Sequence, residues 1–87
     1  MFAEVLIWLE NNSTHEKSIN NNELSKSVVI DIDDEDNLAR LIFWDDNSCM
    51  LEAMDVNTGN YILNERHDIS HINEFVTLYK KFESALN

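Results

Sequence analysis

Residues 27–66 read SVVIDIDDEDNLARLIFWDDNSCMLEAMDVNTGNYILNER, and this stretch decides the fold. Apolar and polar residues alternate in four runs within it, and short polar stretches separate the runs. Alternation with a period of two is typical of strands that bury one face. We therefore predict four antiparallel strands, at Ser27–Asp33, Leu38–Trp44, Cys49–Val56 and Asn60–His67.

Two of the connecting loops contain residues that tolerate a positive φ angle. Asn57-Thr58-Gly59 is predicted as a three-residue hairpin loop that contains the only glycine of the chain. Asp45-Asp46-Asn47 is predicted as a second such loop, with Asn47 in the left-handed conformation. Together the loops set the register. The predicted facing pairs are Leu41 with Leu51, Phe43 with Cys49, Ala53 with Leu63, and Ile30 with Leu41.

A sheet in this register has one apolar face and one mixed face, because successive side chains of a strand point to opposite sides. The predicted apolar face comprises Val28, Ile30, Ile32, Ala39, Leu41, Phe43, Cys49, Leu51, Ala53, Tyr61 and Leu63. The mixed face comprises Val29, Asp31, Leu38, Arg40, Ile42, Trp44, Met50, Glu52, Met54, Ile62, Asn64 and Arg66. Two interpretations of the mixed face are open: it binds a partner, or one of the chain's own helices covers it.

Apolar residues recur at helical spacing near both ends of the chain. The first predicted helix spans residues 2–12, with the apolar positions Phe2, Val5, Leu6 and Leu9. The second runs from about Ser70 to Leu86, with the apolar positions Ile72, Phe75, Val76, Tyr79, Phe82 and Leu86. Asp68 or Ser70 is predicted to cap it. The polar residues 10–26 are assigned no element, and a short edge strand near residues 17–20 is the alternative.

These elements predict a single α+β domain over residues 1–87. It is a two-layer fold, a four-stranded antiparallel meander with N- and C-terminal helices in the order α-β-β-β-β-α. The helices are expected to cover the apolar face of the sheet.

The chain is strongly acidic, with 17 Asp and Glu against 6 Lys and Arg and a net charge of −11. Such a charge repels nucleic acid and anionic membranes, and it attracts a basic partner. The acids crowd into residues 31–55, where Arg40 is the only base and is expected to lie between Asp31 and Glu52. A basic protein is therefore the predicted partner.

Apolar residues accompany the acids on the mixed face. Trp and adaptable Met are frequent in surfaces that bind other proteins. We therefore predict a partner-binding site that consists of Asp31, Asp33, Asp34, Glu35, Asp36, Arg40, Trp44, Asp45, Asp46, Met50, Glu52 and Met54.

The sequence contains no pattern typical of catalysis or of a metal or cofactor site. The lone Cys49 lies in an apolar run and is expected to be a core thiol, which disfavours a nucleophile. The places that a calcium-binding EF-hand loop would reserve for Gly and Glu hold Asp36 and Ile42. His67 and His71 have the spacing of zinc ligands on a helix, but they straddle a predicted strand–helix junction, so the spacing does not indicate a zinc site. The apolar residues 2–9 are too short to span a bilayer. We expect a cytoplasmic protein that is not an enzyme and has no metal or cofactor.

Several segments together resemble a known family. They are the helix ending at Trp8-Leu9-Glu10, the acidic strand Val28–Asp33, the strand Ala39–Trp44, the run Cys49–Gly59 with its Asp-Val-x-Thr-Gly hairpin, and the closing helix. From Val28 onward the chain resembles the TriTu immunity proteins of bacterial polymorphic toxin systems. The resemblance implies a protein that neutralises a cognate toxin domain, most often a nuclease delivered by contact-dependent growth inhibition or a related secretion system, with an RNase favoured. It also implies a monomer in the complex.

Two other interpretations fit the same acidity. An acidic nucleic-acid mimic or regulator would bind a host DNA-binding protein, and its electrostatics would be the same. A structural homodimer would join two copies through the face that contains Trp44.

Overall fold

In the computed structural model, which describes residues 1–86, a helix lies at each end of the chain and an antiparallel sheet lies between them. The elements are α1 (Phe2–Asn12), β1 (Ser18–Asn21), β2 (Lys26–Asp33), β3 (Leu38–Trp44), β4 (Ser48–Met54), β5 (Tyr61–Asp68) and α2 (Ile72–Ser84). The strands follow one another in the sheet in chain order. The predicted α+β fold with two terminal helices is confirmed. The predicted number of four strands is wrong, because the sheet has five.

The additional strand is β1, which pairs with β2 at the edge of the sheet, Ser18 opposite Val29 and Ile19 opposite Val28. All of its residues are exposed, so burial does not alternate along it and no period of two marks it in the sequence. The turn into β2 is held by Asn22, whose Oδ1 accepts the backbone N–H of Ser25 at 2.9 Å. β1 therefore depends on its pairing with β2 and not on burial of its own side chains.

The central register agrees with the prediction. The loop between β3 and β4 holds Asn47 at a φ of 66°, and the backbone N–H of Asn47 donates to the carbonyl oxygen of Trp44 at 3.0 Å. The four predicted facing pairs are all present: Leu41 with Leu51, Phe43 with Cys49, Ala53 with Leu63, and Ile30 with Leu41.

The hairpin between β4 and β5 differs from the prediction. The backbone N–H of Asp55 donates to the carbonyl oxygen of Asn60 at 2.8 Å, so the loop comprises residues 56–59 and is one residue longer than expected. A bulge between Ala53 and Met54 restores the register, because Met54 pairs with Tyr61 and leaves Ile62 as the extra residue. Tyr61 consequently leaves the apolar face to which it was assigned and is 53% exposed.

Both helices pack on one face of the sheet and form its core. The structure buries the predicted apolar face except for Tyr61 and the half-buried Ile32. The helices add Val5, Leu9, Phe75, Tyr79 and Phe82. The ring of Phe43 meets that of Phe75 edge-on, with 5.5 Å between centroids. Burial of each large apolar side chain stabilises the fold by about 1.5–3 kcal/mol, and this packing fixes which face of the sheet the helices cover.

The cap of α2 is a residue that the prediction missed. His71, not Asp68 or Ser70, is the N-cap, and its Nδ1 accepts the backbone N–H of Asn73 at 3.2 Å. Asp68 is instead the last residue of β5. A histidine ring nitrogen can accept this hydrogen bond only when it is unprotonated.

Polar side chains also join α2 to the rest of the fold. Glu65 of β5 accepts a hydrogen bond from Lys81 of α2 at 2.6 Å and contacts His67 at 2.8 Å. The hydrogen bond from Lys81 has the largest effect in lowering the pKa of Glu65, and the hydrogen bond with His67 lowers it further. The Tyr79 hydroxyl of α2 bonds to Ser13, the C-cap of α1, at 2.7 Å, and burial raises the pKa of Tyr79 to about 12.

Substitution of Gly59 by alanine tests the left-handed position in the second hairpin. Gly59 has a φ of +74°, and an added Cβ would meet no atom within 4 Å, so the cost lies in the backbone alone. We expect Gly59→Ala to lower the free energy of unfolding by about 1 kcal/mol, and urea unfolding measures it. Asn57→Ala in the same loop is the control and should change the value by less than about 0.5 kcal/mol. Equal values for the two variants would contradict this interpretation.

The Glu65–Lys81 contact should make stability depend on pH. Because the pKa of Glu65 is lower in the folded state, the unfolded chain binds this proton first as the pH falls below the usual value of 4.5. The contribution of the Glu65–Lys81 pair to the free energy of unfolding is therefore complete at pH 7. It is lost toward pH 3, as the pH falls through the folded-state pKa of Glu65. Lys81→Met should be less stable than the native protein at pH 7, and the difference should shrink as the pH falls. Urea unfolding at several pH values measures this.

The control for that series is Lys80→Met, which makes the same charge change one residue away. Its stability should run parallel to that of the native protein across the pH range. A difference between the native protein and Lys81→Met that stays constant from pH 7 to pH 3 would show that the pair does not act through Glu65.

Candidate functional site

The face of the sheet opposite the helices is uncovered by any other element of residues 1–86. We call it the open face. None of its residues belongs to the core cluster that the helices complete. Trp44, Met50 and Met54 lie on it and are half-buried by their neighbours in the sheet. Of the two interpretations that the sequence left open, coverage by one of the helices is therefore wrong.

Strand pairing arranges the open face in three rows that run across the sheet. The first row is Val29, Ile42, Met50 and Arg66; the second is Asp31, Arg40, Glu52 and Asn64; the third is Asp33, Leu38, Met54 and Tyr61. The second row, which we call the charged row, thus lies between two rows that are largely apolar. Trp44 lies beside the first row, on the side nearer the loop between β3 and β4.

One ion pair occupies part of the charged row. Arg40 Nη2 lies 3.0 Å from Asp31 Oδ2, and this hydrogen bond and the Asp31 charge raise the pKa of Arg40. The two side chains are 48% and 52% exposed, so the pair contributes only about 0–1 kcal/mol to stability. The negative charge of Glu52 also raises the pKa of Arg40. Within residues 1–86, no side chain forms a hydrogen bond or salt bridge with Glu52. The row therefore has one carboxylate that the fold itself does not use.

A cavity of about 260 Å³ opens between the charged row and the third row. It is lined by Asp31, Leu38, Ala39, Arg40, Glu52, Met54 and Tyr61. Tyr61 lines it only because of the bulge in the β4–β5 hairpin, and for that reason the sequence did not predict it as part of the site. Leu38 was placed on this face by the predicted register but was not named as a site residue.

Trp44 has a partner on the open face. The guanidinium carbon of Arg66 lies 4.8 Å from the centroid of the Trp44 ring, which is a cation–π contact. Such a contact contributes about 0.5–1 kcal/mol at an exposed position. Arg66 was assigned to the right face but omitted from the predicted site, although its position opposite Met50 could have identified it. The contact favours this orientation of the indole.

Six of the eight acidic residues of the predicted site form two groups at opposite ends of β3, and the other two, Asp31 and Glu52, lie in the charged row. Asp33, Asp34, Glu35 and Asp36 lie where β2 turns into β3, whereas Asp45 and Asp46 lie where β3 turns into β4. The seven residues of β3 place these turns roughly 20 Å apart. The acids of the two loops are therefore not gathered in one place, and the charged row and Trp44 lie between the two groups.

Two of these aspartates also hold their turns. Asp34 Oδ1 accepts the backbone N–H groups of Asp36 at 2.9 Å and Asn37 at 2.7 Å. Asp46 Oδ1 accepts the backbone N–H of Ser48 at 3.0 Å as well as its hydroxyl, and these bonds lower the pKa of Asp46. Both carboxylates thus have a structural role in addition to their charge.

The reactive side chains of the chain are already engaged. Cys49 is buried in the core, as predicted, and burial raises the pKa of its thiol to about 12, which makes it a poor nucleophile. His67 contacts Glu65 and His71 caps α2, so the two histidines serve separate structural purposes. Residues 1–86 contain no group of three or more His, Cys, Asp or Glu placed to hold a metal ion.

The helices of this part of the chain are also too short or too polar to cross a membrane.

Comparison with known proteins adds one finding to this geometry. A family model described as immunity protein TriTu matches residues 4–85, so the match runs from α1 to α2 and includes β1. No curated protein matches the sequence. The match confirms the resemblance that the strands and hairpins of residues 28–86 indicated. The chain belongs to the TriTu family of immunity proteins, and its role is to bind and neutralise a cognate toxin.

Proposed function

We propose that the open face is the surface through which this immunity protein binds its toxin, and that the toxin domain is a basic nuclease, in the first place an RNase. The observation that carries the proposal is a sheet face, uncovered by the helices, on which Trp44, Met50 and Met54 flank a row of charges. A sheet face that only contacted solvent would not need so many apolar side chains.

The charge of the chain supports a basic partner. A nuclease must present a cationic surface to the phosphates of its substrate. The acidic loop of residues 33–36 and the net charge of −11 would attract that surface and accelerate association. Carboxylates that reach Lys and Arg side chains there form charge-assisted hydrogen bonds. The immunity protein would then occupy the surface that the nucleic acid needs.

Charge alone does not supply the affinity that protection requires. Nanomolar binding corresponds to about −12 kcal/mol, whereas an exposed ion pair contributes about 0–1 kcal/mol. Desolvated apolar anchors must supply much of the difference, and Trp is among the most frequent anchors. Trp44 suits this role because Arg66 contacts its ring before the partner arrives, which favours one orientation and lowers the entropy cost of binding.

The remaining parts of the proposal concern the protein as a whole. Residues 1–87 act as a single domain that is not an enzyme and binds the toxin as a monomer. It acts in the cytoplasm, where a nuclease would meet its substrate.

Substitution of Trp44 tests the anchor. We expect Trp44→Ala to weaken binding to the purified cognate toxin domain by at least about tenfold, since anchor residues contribute about 2 kcal/mol or more. Surface plasmon resonance measures the dissociation constant, and circular dichroism confirms that the variant is folded. Ile7→Ala is the control because Ile7 is an exposed apolar residue on α1, in the other layer. An unchanged dissociation constant for Trp44→Ala would rule out Trp44 as the anchor.

Neutral variants of the acidic loop test the electrostatic part. Asp33→Asn combined with Asp34→Asn removes two charges but keeps the Oδ1 of residue 34 that holds the turn. We expect this variant to lower the association rate by about tenfold at low salt and by less at 0.5 M salt, because salt screens steering. Stopped-flow fluorescence measures the rate.

The control, Glu16→Gln combined with Glu23→Gln, makes the same change of net charge outside the loop. If the two double variants slow association equally, only the total charge matters and the loop has no specific part in binding.

A further inference from the structure

One of the carboxylates that line the cavity next to the charged row is not paired with any side chain of residues 1–86. Asp31 and Arg40 satisfy one another at 3.0 Å, and their charges cancel. Glu52 is left as the one charged side chain of the row without a hydrogen bond or salt bridge to any side chain of residues 1–86. The cavity therefore has a single uncompensated negative charge.

The cavity has apolar and charged lining side chains: Leu38, Met54 and Tyr61 are apolar or aromatic, and Asp31, Arg40 and Glu52 are charged. Leu38 and Tyr61 are 41% and 53% exposed, whereas Glu52 and Met54 are half-buried. An occupant that fits this arrangement has an apolar stem and a cationic head.

We propose that the cavity receives one arginine side chain of the toxin, with its guanidinium on the Glu52 carboxylate and its aliphatic stem against Leu38, Met54 and Tyr61. The proposal rests on the proposed binding through the open face and names the contact that gives that surface its selectivity. Long cationic side chains cover apolar surface with their stems while their heads stay polar. Arginine fits better than lysine because its planar guanidinium matches a carboxylate with two parallel bonds and also stacks on aromatic rings.

The Arg40–Asp31 pair leaves one carboxylate of the cavity available. Arg40 lines the cavity and is paired with Asp31, so Glu52 alone remains for a cation of the partner. A pair formed with Glu52 in the covered interface would also lose much of its contact with water, which strengthens the attraction relative to a pair at the rim. The arrangement therefore favours one particular arginine over a diffuse basic surface.

The first test removes the charge of Glu52 without changing the size of its side chain. We expect Glu52→Gln to weaken binding of the purified cognate toxin domain by about tenfold to a hundredfold, the range of a hydrogen bond to a charged group. Thermal unfolding checks that the variant is folded. The control, Glu16→Gln, makes the same charge change outside the open face and should alter the dissociation constant by less than about twofold.

The second test identifies the partner of Glu52 by double-mutant cycles. Each arginine and each lysine on the toxin surface is replaced by alanine and measured against native protein and Glu52→Gln. We expect one arginine whose removal makes Glu52→Gln silent, so that the two losses are not additive. Coupling to no residue, or to a lysine only, overturns the proposal, as does a change of less than about twofold for Glu52→Gln.

The two proposals fail in distinguishable ways. If Trp44→Ala weakens binding but Glu52→Gln does not, the open face still binds the toxin and the arginine contact is absent. If neither variant weakens binding, the toxin binds elsewhere and both proposals are wrong.

Discussion

Burial of one face of the sheet by α1 and α2 is the constraint on which the rest of the structure depends. Phe43 and Leu51 are fully buried against the helices, and the hydrophobic effect drives this packing. Within residues 1–86, no third layer covers the other face of the sheet. In so small a chain the two helices suffice for only one side. The same packing that stabilises the fold therefore creates the open face, with its half-buried indole and its row of charges.

Much of the fold could be predicted because turn chemistry and alternation agree. Asn47 takes the left-handed conformation that its loop requires, and this one turn aligns β3 with β4 and thereby the core. β1 was predicted only as an alternative, near residues 17–20, since an exposed edge strand has no buried side chains to mark it. The bulge at Ile62 escaped because the longer loop and the extra residue cancel, which leaves Ala53 opposite Leu63 either way.

The candidate site shows where sequence patterns reach their limit. The register alone placed Trp44, Arg40 and Glu52 on one face, and the structure agrees. Charge counting, however, grouped acids that lie at opposite ends of β3, because nearness in sequence across a strand of seven residues is not nearness in space. The contacts of Arg66 with Trp44 and of Tyr61 with the cavity depend on side-chain placement and on the bulge, neither of which has a sequence signal.

The polar edge strand has a consequence for the behaviour of the protein in a crowded cell. Without β1, the whole of the eight-residue strand β2 would present its free backbone groups at the border of the sheet, where other chains could add to it and start fibrous aggregates. β1 pairs with the half of β2 from Lys26 to Val29, and three of its four side chains are Ser or Asn. A short strand that buries none of its own side chains thus limits aggregation at this edge of the sheet.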